Sequence, residues 1–420
     1  MRRKRYAVIG VGGRGSGMFA QPLSKDFPKH AELVAVCDAN RVRAGYCVSR
    51  LPRPVPVYTD FATLLREVDP DGIVVATHDC THARFVMAGL KAGKRVYSEK
   101  PLCTTDAQCR AILAAAKRSK GRCFVTHNMR YAAALEQIRD IIRDGTLGTV
   151  TFMQFDETLD RCHGADYFRR WHRQTANSGG LLIHKASHHF DILNWWAGAK
   201  PAEVRAQGRL AFYGKNGPFR GKRCLGCAHA RKCAFHADMF SLDLYREMYR
   251  NAEGEDGYVR DGCVFDPAID IYDQMGVLIR YANGIDVSYT LTAFSPYESL
   301  RCVIEGSKGR LEYTIQYGTG WALGGQRLPG VEVHQGESLR LFIAGKGIRN
   351  VAIRKQKGGH GGADPRLRAE FFATDWSRKP SEQMASLDEA VQAVLVGVAA
   401  NRSIATGRPV DVQRLLLGAA

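Results

Sequence analysis

No stretch of this 420-residue chain stays apolar for the roughly 20 residues that a bilayer-spanning helix needs, so a helical membrane protein is not expected. Nor does an apolar leader segment stand between the opening Met-Arg-Arg-Lys-Arg and the first strand-like run, which points to a cytoplasmic protein. Internal repeats and low-complexity tracts are missing, so nothing marks a solenoid or a disordered tail. Acidic side chains are in deficit: 42 against 60 basic ones, a net charge of +18. The surplus is scattered, forms no compact block beyond the first five residues and accompanies no nucleic-acid motif. It reads as an Arg-rich surface, with a negatively charged substrate left open and no nucleic-acid or membrane partner expected.

What is present fits a soluble globular protein, with 45% apolar and 24% charged residues and a length that suits two domains. Twelve cysteines in such a chain read as core fillers where scattered and as metal ligands where clustered.

The stretch from Tyr6 to Asp38 organises the first half. The apolar run Tyr6 to Ile9 suits a buried parallel strand, and Gly10, Gly12 and Gly15 then take the G-x-G-x-x-G spacing where a helix would begin. Such glycines allow a tight turn, a close approach of backbone N–H groups to a pyrophosphate, and close packing of helix on strand. A second apolar run, Leu33 to Cys37, ends in Asp38, placed to accept both hydroxyls of an adenosine ribose. That favours NAD, although Arg41 and Arg43 follow and can turn toward the 2′-phosphate of NADP.

Beyond Asp38 the pattern alternates. Helix-like Arg41 to Arg50, Phe61 to Val68, Thr81 to Ala92 and Thr105 to Ser119 separate strand-like Val57-Tyr58, Gly72 to Thr77, Arg95 to Ser98 and Cys123 to Thr126. Six strands alternating with helices predict a doubly wound parallel sheet, whose ligands lie beyond the strands' C-terminal ends. The residues there are Thr77-His78-Asp79 with His82, Glu99-Lys100-Pro101, and His127-Asn128. Gly13, Arg14, Thr77, His82, Glu99 and Lys100 join Gly10, Gly12, Gly15 and Asp38 as candidate cofactor contacts.

These residues carry a resemblance. Val-Ile-Gly-Val-Gly-Gly-Arg-Gly, Ala-Thr-x-Asp-x-Thr-His at Ala76 to His82, and Glu-Lys-Pro at 99 to 101 resemble the Gfo/Idh/MocA family of sugar and polyol oxidoreductases. The resemblance implies a Rossmann domain, 1–128, and an α/β (α+β) domain, 129–420, with a large open, mainly antiparallel sheet on which homodimers or homotetramers form. It also implies that Lys100 lies beside the substrate's reacting hydroxyl and the nicotinamide.

In the second half, helical Ala133 to Arg143 and strand-like Thr149 to Phe155 precede a loop-like run. It holds Asp156, Asp160, His163, Asp166, Tyr167, Arg169, Arg170, Trp171 and His172. Rings that stack and charged groups that grip hydroxyls suit sugar recognition, with Tyr167, Arg170 and Trp171 the named candidates. His184, His188 and Asp191 then fall at i, i+4 and i+7, one face of a helix, with Lys185 beside them. By resemblance the family usually has an Asp where His184 stands, a His at His188 and an Asp at Asp191, and its His and the Lys of Glu-Lys-Pro transfer the proton. His188 is thus the expected general acid/base with Lys100, and His184 orients the substrate or shares the proton. Lys185 and Asp191 are candidate substrate contacts, and two histidines at i and i+4 also leave a Zn²⁺ pair open.

Cys224, Cys227 and Cys233 form C-x₂-C-x₅-C within an insertion of about 213–263, and Cys263 can complete a tetrahedral set. A structural Zn²⁺ is the leading reading and an iron–sulfur cluster the alternative. A subgroup of the family is similar in sharing these cysteines and the later His-Gly-Gly. Runs at Asp270 to Tyr281, Ile285 to Ala293, Leu300 to Glu305 and Arg310 to Tyr317 predict antiparallel strands. Gly345 to Gly362 reads as loop, with His360 a candidate substrate contact, and Pro365 to Trp376 and Leu387 to Ser403 as helices.

The expected activity is NAD(P)-dependent oxidation or reduction of a hydroxyl carbon in a sugar, polyol or glycoside. The alternatives are a glycosidase or lyase that oxidises transiently, eliminates and reduces again, and a sugar sensor without turnover.

Overall fold

The computed structural model describes residues 2–317 and 335–418. The chain divides into two compact units. The first joins Met1–Ala132 to two later returns, Phe240–Arg260 and Gln356–Val394; the second holds Ala133–Met239, Asp261–Lys355 and Leu395–Ala420. A split near 128 therefore describes only the first crossing, because pieces of the later half fold back onto the opening sheet.

In the first unit the strands are β1 (Lys4–Ile9), β2 (Ala31–Cys37), β3 (Val57–Tyr58), β4 (Gly72–Val75), β5 (Arg95–Ser98) and β6 (Arg122–Val125). They pair in parallel in the order β6-β5-β4-β1-β2-β3, so the direction of winding reverses at β1, where a crevice opens beyond the strand ends. Central strands covered by helices on both faces must be apolar throughout, and every residue of β4 is buried. Three of the helices start on capping side chains, with Asn40, Asp60 and Thr105 each accepting an early backbone N–H. The helix Ala363–Ala373 adds Phe371, whose ring stacks on Tyr97 with centroids 4.1 Å apart. The buried hydroxyls of Tyr6 and Tyr97 both donate to the Phe371 carbonyl.

The second unit continues the strand series with β7 (Val150–Asp160), β8 (Pro201–Arg209), β9 (Gln274–Tyr281), β10 (Asp286–Ser295), β11 (Ser299–Gly306), β12 (Gly309–Gln316), β13 (Gly336–Ile343) and β14 (Gly347–Asn350). The two-residue β15 (Ala385–Ser386) adds an antiparallel edge to β6, and β16 (Val410–Asp411) closes the second sheet, ordered β14-β13-β12-β11-β7-β10-β9-β8-β16. Its pairings are antiparallel except for β7 with β10. Alternating burial along β9 and β10 shows one face turned to the core. The expected loop at Gly345 to Gly362 contains β14, a short and wholly exposed edge strand with no apolar face to announce it.

Candidate functional site

At the end of β1 the backbone turns through Gly10, whose φ of +82° is a region that side chains avoid, and a Cβ there would lie 2.6 Å from the Ala76 carbonyl oxygen. The helix that begins at Gly15 packs so closely on this turn that a Cβ on Gly15 would lie 1.8 Å from the Gly10 oxygen. Asp38 sits 9% exposed just beyond β2, accepting the Val11 and Asn40 N–H groups, each at 2.9 Å. Strand, glycine turn, helix and acid thus form the cradle a dinucleotide fits, with backbone N–H groups for the diphosphate and a carboxylate for the ribose. In it a bound NAD would supply a hydride acceptor. Gly15→Ala is expected to push the turn and helix apart, costing about 1–3 kcal/mol and the uptake of NAD. Calorimetry showing wild-type affinity in that variant would contradict the assignment.

The other suspected strand ends converge in the same unit. His82 lies between two carbonyl oxygens, with Nδ1 2.7 Å from Pro101 and Nε2 3.1 Å from Thr77. Burial lowers its pKa against the pull of the two carbonyls, and the ring braces the Lys100–Pro101 turn, whose peptide is cis. Thr77 shares a 2.8 Å hydroxyl bond with Thr81. Arg14 meets two acids: its Nε donates to Glu99 at 2.8 Å and its Nη1 lies 3.8 Å from Asp364. Burial works against that charge, and the two acids outweigh it, holding Arg14 ionised. Asp364 in turn accepts from Asn128 at 2.8 Å.

Phe240–Arg260 brings groups that reading the sequence did not connect with the cradle. The Gly13 N–H donates to the Tyr249 hydroxyl at 2.7 Å, Asn40 Nδ2 donates to the Ala252 carbonyl, and the Arg41 N–H donates to Glu255. Arg43 Nη1 lies 3.3 Å from Asp38 and its Nη2 3.0 Å from Asp256. Tyr258 packs its ring against His78 and Tyr249. No local pattern links Tyr249 to a turn 236 residues earlier.

In the second unit, Tyr167, Trp171, His172 and His184 form one cluster of rings. Trp171 stacks on His172 at 3.7 Å, and His184 lies 4.2 Å from His172 and 5.4 Å from Tyr167. The Tyr167 hydroxyl meets His163 Nε2 at 3.0 Å, and His163 Nδ1 meets Glu298 at 3.0 Å. A neutral His163 whose Nδ1–H donates to the carboxylate leaves Nε2 to accept the phenol's proton. Lys185 Nζ pairs with Glu157 at 3.1 Å, with side chains 16% and 3% exposed. Burial opposes the ammonium, but Glu157, Tyr167 and Glu298 outweigh it and raise its pKa, while burial pushes the Glu157 carboxyl up against the pull of Lys185. Arg170 is paired with Asp166 at 2.8 Å.

The expected single helical row is corrected here. Leu181–His184 and Ser187–Ala197 are separate helical pieces with a break at Lys185-Ala186, so His184 ends one piece while His188 and Asp191 belong to the next. Gly179 and Gly180, both at positive φ, start the first piece as a single turn, too short to run on. His188 is partly buried and Asp191 wholly buried. The side chain of His360 lies outside the described residues.

Cys224, Cys227, Cys233 and Cys263 do meet, lining one small cavity with Arg169, Phe235 and His236. Yet among the described residues no group of three or more His, Cys, Asp or Glu is arranged to hold a metal ion, so the expected zinc is not supported. Arg169 already brings a positive charge there, donating to Cys224 Sγ at 3.0 Å and to the Phe235 carbonyl. Backbone N–H groups of Gly221 and Phe265 donate to Cys263. Among the described residues, no helix is long and apolar enough to cross a membrane.

A doubly wound sheet with a glycine cradle and an acid at the tip of its second strand, joined to a unit built on a broad mixed sheet, defines a dinucleotide-binding oxidoreductase. Residues 4–127 match the oxidoreductase family's NAD-binding Rossmann fold and residues 139–412 its C-terminal alpha/beta domain. The chain belongs to the Gfo/Idh/MocA oxidoreductase family. It is 30% identical over 429 residues to the protein YteT of Bacillus subtilis (strain 168), covering 98% of each chain. Over 207 residues it is 36% identical to the inositol 2-dehydrogenase of Acidothermus cellulolyticus, covering 49% of this chain and 57% of that one. Its fold is similar to that of the aldose-aldose oxidoreductase from Caulobacter crescentus, with TM-score 0.66, 18% identity, and 98% and 100% of the two chains covered.

Proposed function

We propose that the protein is an NAD-dependent dehydrogenase acting on a hydroxyl-bearing carbon of a sugar, polyol or glycoside. The observation that carries this reading is the ring cluster of Tyr167, Trp171, His172 and His184, flanked by the Lys185–Glu157 pair and the His163–Glu298 pair. Flat rings suit the apolar face of a sugar, and charged groups beside them suit its hydroxyls. The name of the inositol 2-dehydrogenase relative points to the same class of substrate.

In this reading the His188 imidazole exchanges the proton of the reacting hydroxyl. The Lys100 ammonium stabilises the negative charge that grows on that oxygen. His184, held among rings, orients the substrate. A panel of sugars and polyols with added NAD, followed at the nicotinamide absorbance, is expected to give net reduction with at least one member.

A second reading, transient oxidation with elimination and re-reduction, is favoured by the Tyr249 hydroxyl lying on the glycine turn, since a cofactor held beneath that segment can be recycled in place. Bond cleavage in a glycoside with no net NADH formed would select it. Binding of sugar and NAD with no turnover at all would rule out both and leave a sensor.

A further inference from the structure

Phe240–Arg260 lies against the dinucleotide cradle of its own unit at every feature that reads the cofactor. Tyr249 reaches the glycine turn: its hydroxyl takes the Gly13 N–H, and a Cβ on Gly12 or Gly13 would lie 3.5 or 3.2 Å from it. Ala252 holds the wholly buried Asn40 just after the ribose acid, and Glu255 takes the Arg41 N–H. Arg43 lies between Asp38 and Asp256, its side chain 12% exposed and its guanidinium 5.7 Å from the Tyr249 ring and 6.0 Å from that of Tyr258. Arg260 covers the Tyr245 and Tyr249 rings at 4.7 and 4.4 Å.

We infer that Asp256 is a specificity-determining residue of the cofactor site: by fixing Arg43 against Asp38 it makes the site take NAD and refuse NADP. This rests on the dinucleotide reading given above. The chemistry is one of charge balance. A 2′-phosphate carries between one and two negative charges at neutral pH and needs a guanidinium turned to face it. The guanidinium at hand is shared by two carboxylates and boxed in by two aromatic rings, and Glu255 adds a third acid on the neighbouring turn. A 2′-phosphate entering there meets Asp38, Asp256 and Glu255, with Arg43 already committed and only the exposed Arg41 side chain left on the same turn, so like charges are brought together at the binding site. The two hydroxyls of NAD add no charge and keep Asp38 as their acceptor.

The test is equilibrium binding of NAD and NADP to the full chain by titration calorimetry, with circular dichroism melting to confirm folding. Asp256→Ala is expected to raise NADP affinity relative to NAD by about tenfold or more, because Arg43 loses one of its two acids and can face the phosphate. The double variant with Arg43→Ala is expected to lose that gain. An unchanged NADP/NAD ratio in a folded Asp256→Ala protein overturns the inference, and so does a gain that persists without Arg43. Wild-type protein that takes up neither nucleotide refutes the dinucleotide reading itself, an outcome distinct from NAD binding with an unaltered preference.

Discussion

Replacing Lys100 with Met is expected to lower kcat for a confirmed substrate by about 10²- to 10⁴-fold, the range lost when a positioned proton-handling or charge-stabilising group is removed. The residue lies two positions beyond the end of β5, and the carbonyl of the next residue, Pro101, is held by His82. Methionine keeps most of the length and all of the apolar stem, so the turn should persist and the ammonium alone is lost. NAD affinity by calorimetry should change far less than kcat, since Asp38 and the glycine turn are untouched. Turnover at the wild-type rate with Met at position 100 would refute the proton-handling role. A parallel fall in NAD affinity would instead place Lys100 on the cofactor.

Lys185→Met is expected to cost about 3–5 kcal/mol of stability, as is typical when one member of a buried ion pair is removed and its partner is left behind. Glu157 is 3% exposed, and its carboxylate would then lose its nearest cation while Glu298 still repels it. The pH dependence gives the sign. Burial already pushes the Glu157 pKa up, and without the opposing ammonium it rises further in the folded state than in the unfolded chain. The folded variant therefore binds more protons, its stability is fullest below the ordinary carboxyl pKa, and it declines as pH climbs toward the raised value. Glu157→Gln added to Lys185→Met should recover much of the loss and flatten that slope. Chemical denaturation at pH 5 and pH 8 checks this, and a Lys185→Met protein no less stable than wild type at both would show that the pair does not carry the cluster.

Much of the first unit was legible because its signals are local. Gly10, Gly12, Gly15 and Asp38 lie within one βαβ unit, and a parallel strand covered on both faces favours an apolar run, which is how Tyr6 to Ile9, Leu33 to Cys37 and β4 stand out. The partners of Arg14 could not be read, because Glu99 and Asp364 come from 85 and 350 residues away. The histidine row failed for a different reason. Helical spacing shows where side chains would fall on a continuous helix but does not reveal a break, and the backbone turns at Lys185-Ala186 without a proline or glycine to mark it. The cysteines were rightly seen as a group, since all four reach one cavity, but spacing alone did not show Arg169 among them.

By itself the order of residues determined that this chain winds a parallel sheet with a glycine turn after its first strand and an acid at the tip of its second, and joins a sheet-rich second half to it. Those features arise from contacts between near neighbours, where turn geometry and hydrophobic period leave few alternatives. Only tertiary structure decided that Phe240–Arg260 returns to the cradle, that Asp256 joins Asp38 on Arg43, and that His163 links Tyr167 to Glu298. Pairings over more than 100 residues depend on how whole elements pack, and a charged or aromatic side chain bears no mark in sequence of which distant partner will satisfy it.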